Sequence, residues 1–311
     1  MKEETSLHAF PPGLIGILAA LTLGWGINWP MIKLAVSEMQ PMHFRTLCLL
    51  FGAAGLLTIA RLKGLSVRVL KGQWTRLVAI ALFNITIWTI LMTYGVRLMA
   101  SGRASILGYT MPAWSVLLST WILREPFTKR RALGVILGLV GIGLLFESEI
   151  HVVGQSPLGA LLMISAALSW AFGIVIMKKW PVNQPTTVFI GWQMIIGVIP
   201  ILIGSLTCEN GNFNLFALSR WPLVGAFYNF LVAYIFCYWA WIKIAVIAPV
   251  GVSSLGVMMI PVVGVFSSIL IVGEKPHWQD FIALLAVVGS LATVMLPPRK
   301  KEPLSRLNDV A

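Results

Sequence analysis

The sequence predicts an all-helical integral membrane protein whose ten transmembrane helices form two inverted five-helix repeats. Three observations carry this: an apolar composition, ten apolar runs of spanning length, and an internal repeat. Of 311 residues, 58% are hydrophobic and only 11% charged, and the mean hydropathy is +0.87. A soluble domain is typically about 45–50% apolar and about 25% charged. The same figures exclude a disordered chain, a collagen-like fibre and a disulfide-rich secreted domain.

A hydrocarbon core of about 30 Å takes about 20 apolar residues in a helix. The runs are residues 13–35, 41–60, 74–96, 102–122, 129–147, 157–177, 187–207, 221–243, 250–272 and 278–297. They are too long and too uniformly apolar for the alternating strands of a membrane barrel. The first, from Gly13, is long enough to span and is read as a helix rather than a cleavable signal. With the N-terminus inside, 17 of the 23 Lys and Arg fall on the inner side, and Lys33, Arg45, Arg97, Arg103, Arg220 and Lys275 on the outer. That bias follows the positive-inside rule. It places residues 1–12 and 298–311 in the cytoplasm and the protein in the cell (inner) membrane.

The net charge of +12 could suggest nucleic acid, but the charges sit in short loops between apolar runs and read as topology signals. No nucleic-acid partner is expected. Cys48, Cys208 and Cys237 are too widely spaced for a disulfide framework or a metal site. His8, His43, His151 and His277 fall in or beside loops. Neither metal nor cofactor is expected.

The repeat is visible residue by residue. At an offset of 149, Gly102, Ser105, Pro112, Ser119 and Glu125 land on Gly251, Ser254, Pro261, Ser268 and Glu274. At 145, Trp25, Lys33, Phe44, Gly52 and Asn84 land on Trp170, Lys178, Phe189, Gly197 and Asn229. Each unit, 13–147 and 157–297, holds an odd number of helices, so consecutive units must be inverted in the bilayer. Inverted repeats are the construction of many secondary transporters, with substrate bound near the midplane between the halves.

Particular runs are also recognisable. Trp25-Gly-Ile-Asn28 with Lys33, the stretch Ala100–Pro112, and Leu123-Arg-Glu125-Pro followed by Gly134 and Gly141 resemble the drug/metabolite transporter superfamily, EamA type. The second half repeats the pattern with Ser169-Trp170-Ala, Pro261, Gly273-Glu274 and Gly289, and has Ala283 where the first has Gly134. The likeness covers roughly residues 13–297. It implies ten helices, alternating access, and a cavity lined by the first, third, fourth, sixth, eighth and ninth helices. Characterised relatives export amino acids and other small metabolites.

The candidate cavity residues are uncharged. Asn84 and Asn229 lie well inside the third and eighth helices, where an amide needs protein or a cavity as partner; they are read either as substrate contacts or as interhelical glue. Trp88 shares a face with Asn84 at i+4. Trp25 and Trp170 sit near mid-bilayer, as packing residues or as a flat wall for substrate, with Asn28 one turn from Trp25. Trp74, Trp121, Trp180, Trp221 and Trp278 suit the interfacial belts instead. Ser105, Tyr109 and Pro112 share one face of the fourth helix, and Ser254, Met258 and Pro261 repeat it on the ninth. The two prolines predict kinks, serving as gates or as static bends.

Gly134, Gly138 and Gly141, with the small residues of 283–290, predict close packing of the fifth and tenth helices. Monomer and homodimer both stay open. Glu125 and Glu274 read as structural caps at helix ends, and Arg45 is expected to snorkel to the interface. All eleven acidic residues lie in loops or at helix ends, leaving no mid-membrane proton relay. The expected activity is therefore secondary transport, export by facilitated diffusion or exchange, of amino acids or similar small neutral or zwitterionic metabolites. A polyspecific drug or osmolyte carrier is the variant. An integral-membrane enzyme would need a metal cluster, a His/Asp pair or a loop nucleophile; His151 beside Glu147 and Glu149 is the nearest approach.

Overall fold

The computed structural model describes residues 12–151, 157–210, 214–247 and 250–295. It contains ten helices in two inverted repeats, and no strand among the described residues. In the first repeat the helices run Pro12–Glu38, Pro41–Leu62, Trp74–Leu98, Ser101–Leu123 and Lys129–His151. The sixth, seventh, ninth and tenth are Pro157–Lys179, Thr186–Cys208, Val250–Val272 and Trp278–Met295. The eighth consists of Arg220–Tyr228, Asn229–Phe236 and Cys237–Ile247 in succession. Among the described residues eight helices are long and apolar enough to cross a membrane, and the protein is a multi-pass membrane protein. The expected fifth run stops short of the helix, which continues to His151. The tails lie outside the described residues.

Packing follows the repeat. The first helix lies against the eighth and ninth, and the sixth, its mate, against the third and fourth. The second pairs with the seventh and the fifth with the tenth. Turns repeat as well. Arg124 and Gly273, one offset of 149 apart, both adopt left-handed backbone with φ of 57° and 72°. Each ends its helix, and the following Glu125 and Glu274 N–H donates to the Ser119 and Ser268 carbonyl at 3.3 Å. Glycine is the usual residue there because it has no Cβ to clash.

The fifth and tenth helices approach closely through glycine. A Cβ on Gly134 would fall 2.4 Å from Thr293 Oγ1, and one on Gly141 3.2 Å from the Ala283 carbonyl. Ser290 Oγ donates to the Gly134 carbonyl at 2.6 Å. The five tryptophans assigned to the interfacial belts are all exposed on the outside of the bundle.

Two features escape helical periodicity. The third and eighth helices each contain a π-helical segment, Leu82–Ile87 and Asn229–Phe236. A π turn displaces carbonyls from the normal ladder, and such bulges are frequent at functional sites. Partners come from the facing helices: Ser169 Oγ donates to the Phe83 carbonyl at 2.8 Å, and Trp25 Nε1 to the Ala233 carbonyl at 3.3 Å. The proline positions, by contrast, differ between halves. The fourth helix stops at Gly108 and restarts at Met111, whereas the ninth runs unbroken through Pro261. The ninth therefore carries its proline without a break in the helix. At the break in the fourth, the Thr110 hydroxyl donates to the Leu107 carbonyl at 2.6 Å; its mate, Met259, has no hydroxyl.

Candidate functional site: a cavity between the repeats

A cavity of about 630 Å³ lies between the two halves, within the range of small-molecule sites. It opens beside the loop holding Pro181, Val182 and Gln184, near Met295, at the end of the bundle where the first helix starts. Six of the expected residues line it: Trp25, Asn28, Asn84, Trp88, Tyr109 and Trp170, together with Pro112. The second, seventh and tenth helices also contribute, through Arg45, Gln193 and Leu291.

The walls are aromatic. Trp88 and Trp170 meet edge to face with centroids 5.2 Å apart. Opposite them, Trp25 contacts Tyr238 at 5.6 Å and Trp241 at 6.1 Å. The symmetry mates Trp25 and Trp170 thus stand on separate walls. Two polar atoms at the cavity are unsatisfied: Asn28 Oδ1 and Asn84 Oδ1 are buried and hydrogen-bonded to nothing among the described residues. Asn84 lies flat on the sixth helix, because a Cβ at Gly173 would sit 1.7 Å from its Oδ1.

Other expected residues lie elsewhere. Asn229 is fully buried, with Nδ2 donating to the Gly225 carbonyl at 2.9 Å. Ser105 donates to the Gly102 carbonyl at 2.6 Å and rests on Gly264, where the fourth and ninth helices cross. Met258 and Pro261 are buried away from the cavity. The side chain of Ser254 lies outside the described residues.

Arg45 departs furthest from expectation. It does not snorkel: it is 1% exposed and lines the closed end of the cavity. Its Nε donates to Thr93 Oγ1 at 2.6 Å, and one terminal nitrogen to Asn229 Oδ1 and Tyr234 OH at 3.4 and 3.3 Å. The other terminal nitrogen meets the Met92 thioether at 3.6 Å, and the Cys48 thiol also lies within reach of the guanidinium. The Phe44 ring lies 4.7 Å from the guanidinium carbon. Among the described residues no carboxylate pairs with it. Desolvating such a cation costs several kcal/mol, and long bonds to neutral oxygens return only part of that.

Beyond Arg45, the bundle is tied shut. Glu209, only 3% exposed, accepts from the Met42 and His43 backbone N–H groups at 2.8 and 2.9 Å, from Tyr94 OH at 2.7 Å, and pairs with His43 Nδ1 at 2.8 Å. His43 is therefore buried in the first turn of the second helix, beside the loop. Glu274 accepts from Ser101 N–H, Ser101 Oγ and Gly102 N–H at 2.6, 2.6 and 2.9 Å, capping the fourth helix. Lys33 Nζ donates to the Val96, Arg97 and Met99 carbonyls at 2.9, 2.9 and 2.8 Å, capping the third. At the open end the corresponding residues behave differently. Glu125 and Lys178 pair with each other there, and Arg131 joins Glu125 at 2.9 Å.

That loop cluster has a pH consequence. Hydrogen bonds from Lys178 and then Arg131 hold the Glu125 carboxyl below its usual range. A lowered carboxylate pKa contributes stability above the unfolded value, lost as pH falls through the folded one. Glu125→Gln is expected to cost less than about 1 kcal/mol at neutral pH, the partners being partly exposed. It should also remove one acid-dependent step from thermal unfolding curves recorded below pH of about 4; unchanged curves would argue against the tie.

Comparison with known proteins agrees with this architecture. The family description "EamA-like transporter family" matches residues 12–147 and 157–296. The chain is 26% identical over 284 residues to the "Uncharacterized transporter YoaV" of Bacillus subtilis (strain 168), covering 89% of this chain and 92% of that protein. It is 23% identical over 290 residues to a "Probable amino-acid metabolite efflux pump" of Escherichia coli (strain K12), covering 89% and 93%. A solved crystal structure superposes with a TM-score of 0.61 at 19% identity, over 89% of this chain and 95% of its own, which speaks to the fold. With both five-helix halves matched and the cavity between them, the chain belongs to the EamA-like transporter family.

Proposed function

We propose that the protein is a secondary exporter of amino acids or similar small zwitterionic metabolites, working by alternating access without a cofactor. The observation that carries this reading is the cavity itself: aromatic walls, orphan amide oxygens and one buried cation in a single space. A zwitterion fits that set, with an apolar side chain against Trp88 and Trp170 and an ammonium donating to Asn28 or Asn84. The efflux-pump name of the relatives in Escherichia coli and Salmonella typhimurium supports the same class. With both termini cytoplasmic, the cavity opens inward, and the Glu209, Glu274 and Lys33 contacts close the outer side.

Among the described residues no carboxylate or histidine lines the cavity, which favours exchange or facilitated diffusion over a proton relay. Drug-like cations, the alternative cargo, would meet the charge of Arg45. The test is counterflow of labelled tryptophan, phenylalanine, threonine and methionine into proteoliposomes without a proton gradient. Uptake is expected for at least one, with loss of about tenfold or more in Trp88→Ala, since its indole forms one wall. Folded protein that moves none of them would overturn the amino-acid reading.

A further inference from the structure

We propose that Arg45 is the anion anchor of the cavity, and that the transported solutes are those carrying a carboxylate or comparable oxyanion at that point. This rests on the transport reading above and narrows it to a chemical class and a specificity residue.

Two independent observations support it. The first is incomplete satisfaction. A guanidinium offers five N–H donors in a planar fork. Here one donor has a short partner, two share oxygens at 3.4 and 3.3 Å, and the last nitrogen meets sulfur, the Met92 thioether, with the Cys48 thiol also in reach of the guanidinium. A carboxylate would take that nitrogen and replace the long bonds with charge-assisted ones. Met92 and Tyr234, which hold the fork, both line the cavity.

The second observation comes from the repeat. At the offset of 145 Arg45 corresponds to Ile190, which also lines the cavity. Neighbouring Phe44 and Phe189 match, as do Asn84 and Asn229. The fold is therefore built twice at this position, once with an apolar residue, so the architecture does not require a cation. Asn229, which orients Arg45, is fully buried while its mate Asn84 stays at the cavity wall. The paired amides have divided the work, one serving the guanidinium and one facing the solute.

The test compares matched ligands on the purified full chain: phenylalanine, phenylalaninamide, phenethylamine and 3-phenylpropionate. Thermal stabilisation is read first, because it does not depend on transport. The wild type is expected to be stabilised by phenylalanine and 3-phenylpropionate at concentrations about tenfold or more below those needed for the amide and the amine. In Arg45→Gln this preference should collapse, and Arg45→Lys should restore part of it as a point charge without the fork. Equal responses of the wild type to acid and amide would overturn the anchor, as would an Arg45→Gln variant that keeps the preference. If Arg45→Gln does not fold, the wild-type series and Arg45→Lys decide. Counterflow of the same ligands separates the two proposals. Carboxylate-selective stabilisation without counterflow keeps the anchor and removes the amino-acid transport reading; counterflow without carboxylate selectivity does the reverse.

Discussion

Glu209→Ala is expected to lower the folding free energy by several kcal/mol, since each buried donor left unpaired costs about 1–3 kcal/mol. The carboxylate is 3% exposed and serves four donors on two helices. Two of those donors are first-turn N–H groups of the second helix, which no carbonyl within the helix can reach. The Tyr94 hydroxyl ties in the third helix as well. Without Glu209 the closed end loses the group joining the second, third and seventh helices. Chemical denaturation in a fixed detergent would measure the loss. Glu209→Gln, which keeps an acceptor but not the charge, should cost less than the alanine variant. A change below about 1 kcal/mol in the alanine variant would mean that water substitutes for the carboxylate, and that closure rests on the Glu274 and Lys33 caps.

Gly173→Ala is the second large effect, and it falls on transport. A methyl group there would overlap Asn84 Oδ1 at 1.7 Å and Cγ at 2.6 Å. Both atoms belong to a side chain, so the Asn84 amide must rotate off the sixth helix to make room. Displacing a solute-facing group by about 1 Å can cost up to about a hundredfold in rate, and counterflow is expected to fall at least tenfold. Gly143→Ala supplies the control, because nothing lies within 4 Å of its Cβ position. Alanine favours a helix over glycine by about 1 kcal/mol, so that variant should be as stable as the parent and as active. Normal counterflow in Gly173→Ala would show that Asn84 does not face the solute.

Much of the fold was legible because its signals are one-dimensional. Spanning length and apolar continuity mark each helix, and Pro112 with Glu125, repeated as Pro261 with Glu274, marks the duplication. The aromatic and amide wall residues were legible for the same reason. A large side chain placed mid-run, at matching positions of two inverted halves, has few places to go except the interface between them. Ser105 and Asn229 also sit mid-run at matching positions and still miss the cavity, since that interface also includes helix crossings where small polar groups bond to nearby backbone.

Arg45 shows the limit most clearly. A cation five residues into an apolar run ordinarily snorkels, because a long flexible stem can carry its charge to water. Here Thr93, Asn229 and Tyr234 converge from two other helices to hold it inside. Its one sequence signal was a charge opposite the apolar Ile190, next to the matched Phe44 and Phe189. The π segments left no signal, because their displaced carbonyls are satisfied by Ser169 and Trp25 from other helices.

The amino-acid order by itself determined ten helices, their inverted pairing and the aromatic character of the space between them, since each depends on run length, parity or residue type. Tertiary structure alone decided that the fourth helix breaks where the ninth does not, that one end is tied shut while the other is open, and that a cation lies buried at the closed end. Those outcomes depend on which donors and acceptors meet across helices far apart in the chain, where small differences between the two halves, such as Thr110 against Met259 and Arg45 against Ile190, turn a symmetric pattern into an asymmetric cavity.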